Sequence, residues 1–136
     1  MSDVSIMWLA VGTGGAVGAV LRGVIFRALE KWSPADAGGL WAELGAARST
    51  VIVNVLGSFL LGCLVGSVPI PTGGSSDPVL AFWVTGLCGA VTTFSTLCAD
   101  AVGLARRSGR AHVVAALLAN TLLGIAALVL GLAIMA

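Results

Sequence analysis

The sequence predicts an all-α membrane protein with four transmembrane helices, and three observations carry that expectation. The chain has 136 residues, of which 58% are hydrophobic and only 10% charged. With a mean hydropathy of +1.07, it has too few polar residues to cover a water-soluble core, so lipid is the solvent its surface suits. Four uncharged stretches, Val4–Leu21, Ser49–Val68, Val79–Ala99 and Val113–Ala136, are each about 20 residues long. At about 1.5 Å per residue, that length crosses a hydrocarbon layer of about 30 Å. Finally, all seven Lys and Arg residues fall beside the first and third connections between these stretches and none beside the second. One domain over 1–136 follows, with spans at about 4–27, 48–68, 79–104 and 111–135.

Span one carries Gly14, Gly15, Gly18 and Ala19, a small-residue face suited to close helix packing. Arg22 lies one turn beyond Gly18. It serves either to fix orientation by reaching the interface or to form an electropositive vestibule that concentrates anions. The only charge ahead of the span is Asp3, so the basic start of a signal peptide is missing. The first connection, containing "KWSPADAGGLW", reads as a polar loop with room for a short interfacial piece.

Span two, "STVIVNVLGSFLLG", places Thr50, Asn54 and Ser58 at intervals of four, with Gly57 and Gly62 close to the same face. This is a polar and small stripe on a helix otherwise expected to face lipid. Asn54 either hydrogen-bonds between helices or donates its amide N–H to an anion in a water path. "PIPTGGSSDP", Pro69–Pro78, is a turn region.

Span three contains "GLCGAVTTFST", Gly86–Thr96. Its glycines loosen a helix, and Thr92 and Thr93 can re-satisfy backbone groups freed there. Non-helical backbone at membrane depth is tolerated only inside protein or beside a cavity. The stretch is either a close-packing seam or a break whose carbonyls are hard oxygen ligands for a small cation. Phe94, Ser95 and Thr96 follow, then Asp100, read as a solvated helix end. "RRSGR", Arg106–Arg110, is a tight basic connection. Span four offers Asn120, one turn before Gly124, as a packing position.

Arg22, Arg27, Lys31 and Arg48 flank the first connection, and Arg106, Arg107 and Arg110 fill the third. The positive-inside rule then places these connections in the cytoplasm and both termini outside. Trp8 and Trp83 would mark the outer interface, and Trp32 and Trp41 the inner one. Cys63, Cys88 and Cys98 are odd in number, lie inside spans and form no C-x-x-C pair, so they read as packing residues. With one histidine, His112, no transition-metal site is expected. No nucleophile–base pair is evident, so no enzymatic role is expected. "GTGGAVGAV" lies inside a span with no strand before it, which removes the dinucleotide reading. No nucleic-acid partner is expected.

Taken together, these motifs resemble the Fluc (CrcB-type) fluoride channels over nearly the whole chain. "GGAVGAVLR" and "STVIVNVLGSFLLG" are similar to the family's first two spans. "GLCGAVTTFST" resembles its G-F-C-G-G-x-T-T-F-S-T-F signature most specifically. The resemblance implies passive fluoride export by an antiparallel dimer with two pores and a structural Na⁺ at its centre that is not transported. It implies that the carbonyls of Gly89 and Thr92 hold that ion and that Asn54 is the pore amide. Phe94 would be the first of two pore phenylalanines, with Ser95, Thr96 and Thr50 along the polar track and Arg22 at the inner vestibule. The chemistry is compatible, since fluoride is strongly hydrated and needs hydrogen-bond donors and aromatic edges in place of its water.

The sequence also departs from the family. The second pore phenylalanine falls at Leu97, which has no quadrupole. The span-four tyrosine falls near Ala116, and Gly86-Leu87 replaces Gly-Phe. An antiparallel homodimer needs each copy to insert either way, which the basic asymmetry here opposes. A homologous subunit of opposite bias is therefore the expected partner, able to supply the missing aromatic. Two other readings remain: a non-conducting structural subunit, kept open by Leu97, and a small multidrug-type transporter, opposed by the absence of a carboxylate in the membrane part of span one.

Overall fold

The computed structural model describes residues 2–31, 46–68 and 77–135. The first connection beyond Lys31, with Trp32, Trp41 and the interfacial piece expected there, and most of Pro69–Pro78 lie outside the described residues. Helix α1 is Asp3–Lys31 and α2 is Ala46–Ser67. The third span is divided. Its first part, α3 (78–91), joins Pro78–Leu80, a π-helical stretch Ala81–Cys88 and Gly89–Val91. Its second part, α4, is Phe94–Arg107, and α5 is Arg110–Met135. Among the described residues every element is helical, and four spans are long and apolar enough to cross a membrane. In lipid a backbone must satisfy its own polar groups, which selects helices for such segments.

Local signals set the helix ends. Asp77 caps α3, its carboxylate accepting the Val79 N–H at 2.8 Å, and Pro78 occupies the first turn where its missing N–H costs nothing. After α4, the Ser108 N–H returns to the Leu104 carbonyl at 2.8 Å. Gly109 then takes φ +88, a left-handed conformation that glycine adopts without a Cβ clash, and α5 begins at once.

Two glycine seams hold the bundle. On α1, a Cβ at Gly14 would strike the Phe82 carbonyl, and one at Gly18 would lie 2.5 Å from the Leu87 carbonyl. The facing Gly86 is equally closed, since its Cβ would lie 3.0 Å from the Gly14 Cα. On the other side, Gly62 of α2 meets the Leu128 backbone, and a Cβ at Gly131 of α5 would lie 2.5 Å from the Phe59 carbonyl. Without side chains at these points the backbones approach closely, and dispersion replaces the hydrophobic drive that lipid cannot supply. Between the seams lies a small apolar centre of Val53, Leu87, Cys88 and Val91.

These contacts also fix helix directions. Gly14 and Gly18 meet successively later residues of α3, so α1 and α3 are parallel. Asn54 and Gly62 of α2 meet Asn120 and Leu128 of α5, so these two are parallel as well. Asn54 pairs with Thr93 and Thr50 with Asp100, so α2 runs against α4. The C-terminal ends of α1 and α4 therefore lie with the N-terminal ends of α2 and α5, and all seven basic residues cluster toward that end of the bundle. Trp8 and Trp83, both exposed, sit toward the other.

Helix α2 is more enclosed than a polar stripe on a helix otherwise facing lipid would be, since burial extends beyond the stripe to Val53. It carries Thr50 and Val53, both wholly buried, whereas α1 and α5 expose Val20, Val24, Leu122 and Ile125. The polar stripe is turned inward because three other segments need its side chains. Helix α1 runs past Arg22, as the expected span to about residue 27 requires, and continues to Lys31.

Candidate functional site: the broken third span

The break falls at Thr92 and Thr93, not at the glycines. Gly86 lies in the π-helical stretch, and Gly89 keeps an ordinary helical conformation (φ −63, ψ −32). Thr92 (φ −73, ψ 152) and Thr93 (φ −147, ψ 121) are extended. The glycines do not break the helix because glycine tolerates helical dihedrals at a modest entropic cost. Gly86 is required for the α1 seam, while the extended threonines are held by partners elsewhere in the chain.

Those partners can be traced group by group. In an unbroken helix the Thr93 N–H would bond the Gly89 carbonyl, and the Thr96 N–H the Thr92 carbonyl. Instead the Thr93 N–H donates to Asn54 Oδ1 at 2.8 Å. The Thr96 N–H donates to Thr93 Oγ1 at 3.3 Å, so Thr93 is the N-cap of α4. The carbonyls of Gly89 and Thr92 are thereby deprived of their helical donors. Thr92 Oγ1 bonds back to the Cys88 carbonyl at 3.0 Å and reaches the Gly89 carbonyl only at 3.5 Å. Gly57 makes this arrangement possible: a Cβ there would lie 2.5 Å from Thr92 Cγ2.

Asn54 is 9% exposed and spends its whole amide at the junction. Its oxygen takes the Thr93 N–H, and its Nδ2 donates to the Thr93 carbonyl at 3.3 Å and to Asn120 Oδ1 at 2.8 Å. Thr93 Oγ1 also donates to Thr96 Oγ1 at 3.0 Å and lies 3.4 Å from Ser95 Oγ. One turn toward the basic end, the buried Thr50 hydroxyl donates to Asp100 Oδ2. Asp100 is thus a half-buried, hydrogen-bonded carboxylate, not the freely solvated helix end expected, because α2 brings a hydroxyl against it.

A cleft of about 390 Å³ opens at the junction. Among the expected site residues, it is lined by Asn54, Gly89, Thr92, Phe94 and Leu97; Ser58 and Asn120 also line it. Thr50, Ser95, Thr96 and Arg22 do not line this cleft. Phe94 and Leu97 differ sharply: the ring is 79% exposed, whereas Leu97 is 6% exposed. The large exposed aromatic beside released carbonyls is a face with no cover from the described residues.

Asn120 and Thr93 are the junction residues that sequence reasoning valued least. Asn120 was read as packing, and Thr93 as a residue that mends its own helix. A lone Asn in span four at the same four-residue offset from Gly124 as Asn54 from Ser58 was the available signal.

The sequence profile of the family described as CrcB-like protein, Camphor Resistance (CrcB), matches residues 9–132. The chain is 36% identical over 128 residues to the fluoride-specific ion channel FluC of Agrobacterium fabrum, covering 91% of each chain. It is 38% identical over 125 residues to the fluoride-specific ion channel FluC of Methanopyrus kandleri, covering 91% of this chain and 85% of that one. It is also 38% identical over 120 residues to the fluoride-specific ion channel FluC 1 of Geobacillus kaustophilus, covering 86% and 87%.

Proposed function

The chain belongs to the CrcB-like family, and from that membership we propose that it is a subunit of a fluoride-selective channel that lets fluoride leave the cell and lowers its cytoplasmic toxicity. The observation that carries this reading is the Thr92–Thr93 break, where amides, hydroxyls and an exposed aromatic ring gather around one cleft. Fluoride gives up its water only to comparable donors. The Asn54–Asn120 amide pair, the hydroxyls of Ser95 and Thr96, and the weakly positive edge of Phe94 supply them without a positive charge that would trap the ion, and Thr50, its proton held by Asp100, lines the polar track. Arg22 raises the local concentration of anions from the basic side.

The subunit pairs with a homologous subunit of opposite orientation. Support comes from the uncovered Phe94, the apolar Leu97 in place of a second ring, and the gathering of all seven basic residues toward one end. That end is cytoplasmic and both termini are outside. The carbonyls of Gly89 and Thr92, lacking their helical donors, fit a small hard cation, and they would hold Na⁺ jointly with their counterparts on the partner. Bound there, the ion would supply fixed positive charge that joins the subunits and is not transported.

The test is fluoride efflux from loaded vesicles, read with a fluoride electrode. The vesicles contain this chain alone, or this chain with a homologue whose basic residues lie at the opposite end. Efflux only with the homologue is the expected result. Efflux from the chain alone removes the pairing. No efflux with any such partner, from a well-assembled complex, favours a structural subunit, the reading that Leu97 otherwise supports.

A further inference from the structure

The hydrogen-bond directions at the junction form a one-way chain. A backbone N–H can only donate, so the Thr93 N–H requires an acceptor, and Asn54 meets it with Oδ1 at 2.8 Å. This fixes the Asn54 amide: its other end, directed at Asn120, must be the donor Nδ2. Asn120 is then fixed in turn, because only its Oδ1 can accept at 2.8 Å. A flipped Asn120 would set two N–H₂ groups against each other. Both protons of Asn54 Nδ2 are committed, one to the Thr93 carbonyl and one to Asn120. Among the described residues, no hydrogen bond engages Nδ2 of Asn120, the last amide in the series, which lines the cleft.

We propose that Asn120, rather than Asn54, presents the N–H₂ group that contacts fluoride in this subunit, and that Asn54 is a positioning residue transmitting the polarity of the Thr93 N–H. This assignment rests on the channel reading and deepens it. Three amides in series also polarise one another, so accepting the Asn54 N–H at Oδ1 strengthens Asn120 as a donor. Asn54 is 9% exposed and Asn120 half-buried, as expected if the first braces and the second meets the ion.

The experiment uses the complex of this chain with its partner subunit, reconstituted in vesicles, with fluoride itself as the probe. Asn120→Asp keeps the shape and still accepts from Asn54, but carries no N–H. Asn120→Leu removes both functions. If Asn120 is the donor, both variants lose at least tenfold in fluoride efflux, while the Asp variant keeps the wild-type elution profile and melting temperature. If Asn120 only braces Asn54, the Asp variant conducts within about threefold of wild type, which overturns the proposal. Should the Asp variant fail to assemble, Asn120→Thr and Asn120→Val decide: one retains a hydroxyl donor in the same shape and the other does not. Equal efflux from those two overturns the assignment, and a clear advantage for Thr supports it. Absence of efflux from the wild-type complex would instead remove the channel reading itself, so the two failures are distinguishable.

Discussion

The α1–α3 seam and the Thr92–Thr93 junction sit a few turns apart on the same span, yet different forces hold them. At the seam, Gly14 and Gly86 let two backbones touch, and the attraction is dispersion between closely fitted surfaces. At the junction, the helix gives up part of its ladder and Asn54 takes over its hydrogen bonds. The seam depends on shape and tolerates no added volume. The junction depends on which atoms donate and which accept, and tolerates little change of chemistry even at constant volume. Stability therefore resides chiefly in the seams, and polar function in the place where regular structure was abandoned.

The comparison can be broken most directly at the seam. Gly14→Val places a branched side chain against the Phe82 backbone, which cannot yield as a flexible side chain would. Overpacking of this kind costs about 1–3 kcal/mol or more, and we expect no monodisperse protein on size exclusion. At the junction, Asn54→Leu keeps the volume but orphans the Thr93 N–H and deprives its carbonyl of the Nδ2 donor, at about 1–3 kcal/mol for an orphaned buried group. The variant should still insert but melt at a clearly lower temperature, with efflux reduced at least tenfold. An unchanged melting temperature would show that the break is held by something other than Asn54. Thr50→Val, which removes only the hydroxyl bound to Asp100, should cost about 1 kcal/mol because the carboxylate is half-solvated. It should lower efflux less than Asn54→Leu does. Gly89→Ala is the mildest change, since none of the described residues lies within 4 Å of a Cβ there. Helix propensity predicts a gain of up to about 1 kcal/mol. If subunit melting is unaffected but dimer assembly falls, the partner packs on this face, which sharpens the contrast between seams sealed within one chain and a junction left open.

Much of this was legible in the residues. The Gly86–Thr96 stretch marks the depth of the interruption, but its glycines were read as the residues that loosen the helix, whereas the extended residues are Thr92 and Thr93. The glycine face of α1 was legible as a packing seam, and a close-packing seam was one of the two readings of the Gly86 stretch, but that these two faces meet each other was not legible. Asp100 and Asn120 were undervalued for a shared reason. Their partners, Thr50 and Asn54, lie 50 and 66 positions away, beyond any local pattern.

The sequence by itself determined four membrane helices, the asymmetry of basic charge and the depth of the interruption in the third span. Hydropathy, charge and local hydroxyl chemistry act along the chain and need no knowledge of neighbours. Only the tertiary structure decided which residues interrupt the helix, that α2 turns its polar stripe inward, and which amide is left with protons to give. A hydrogen-bond direction is a property of a pair, and these pairs exist only after distant helices have packed.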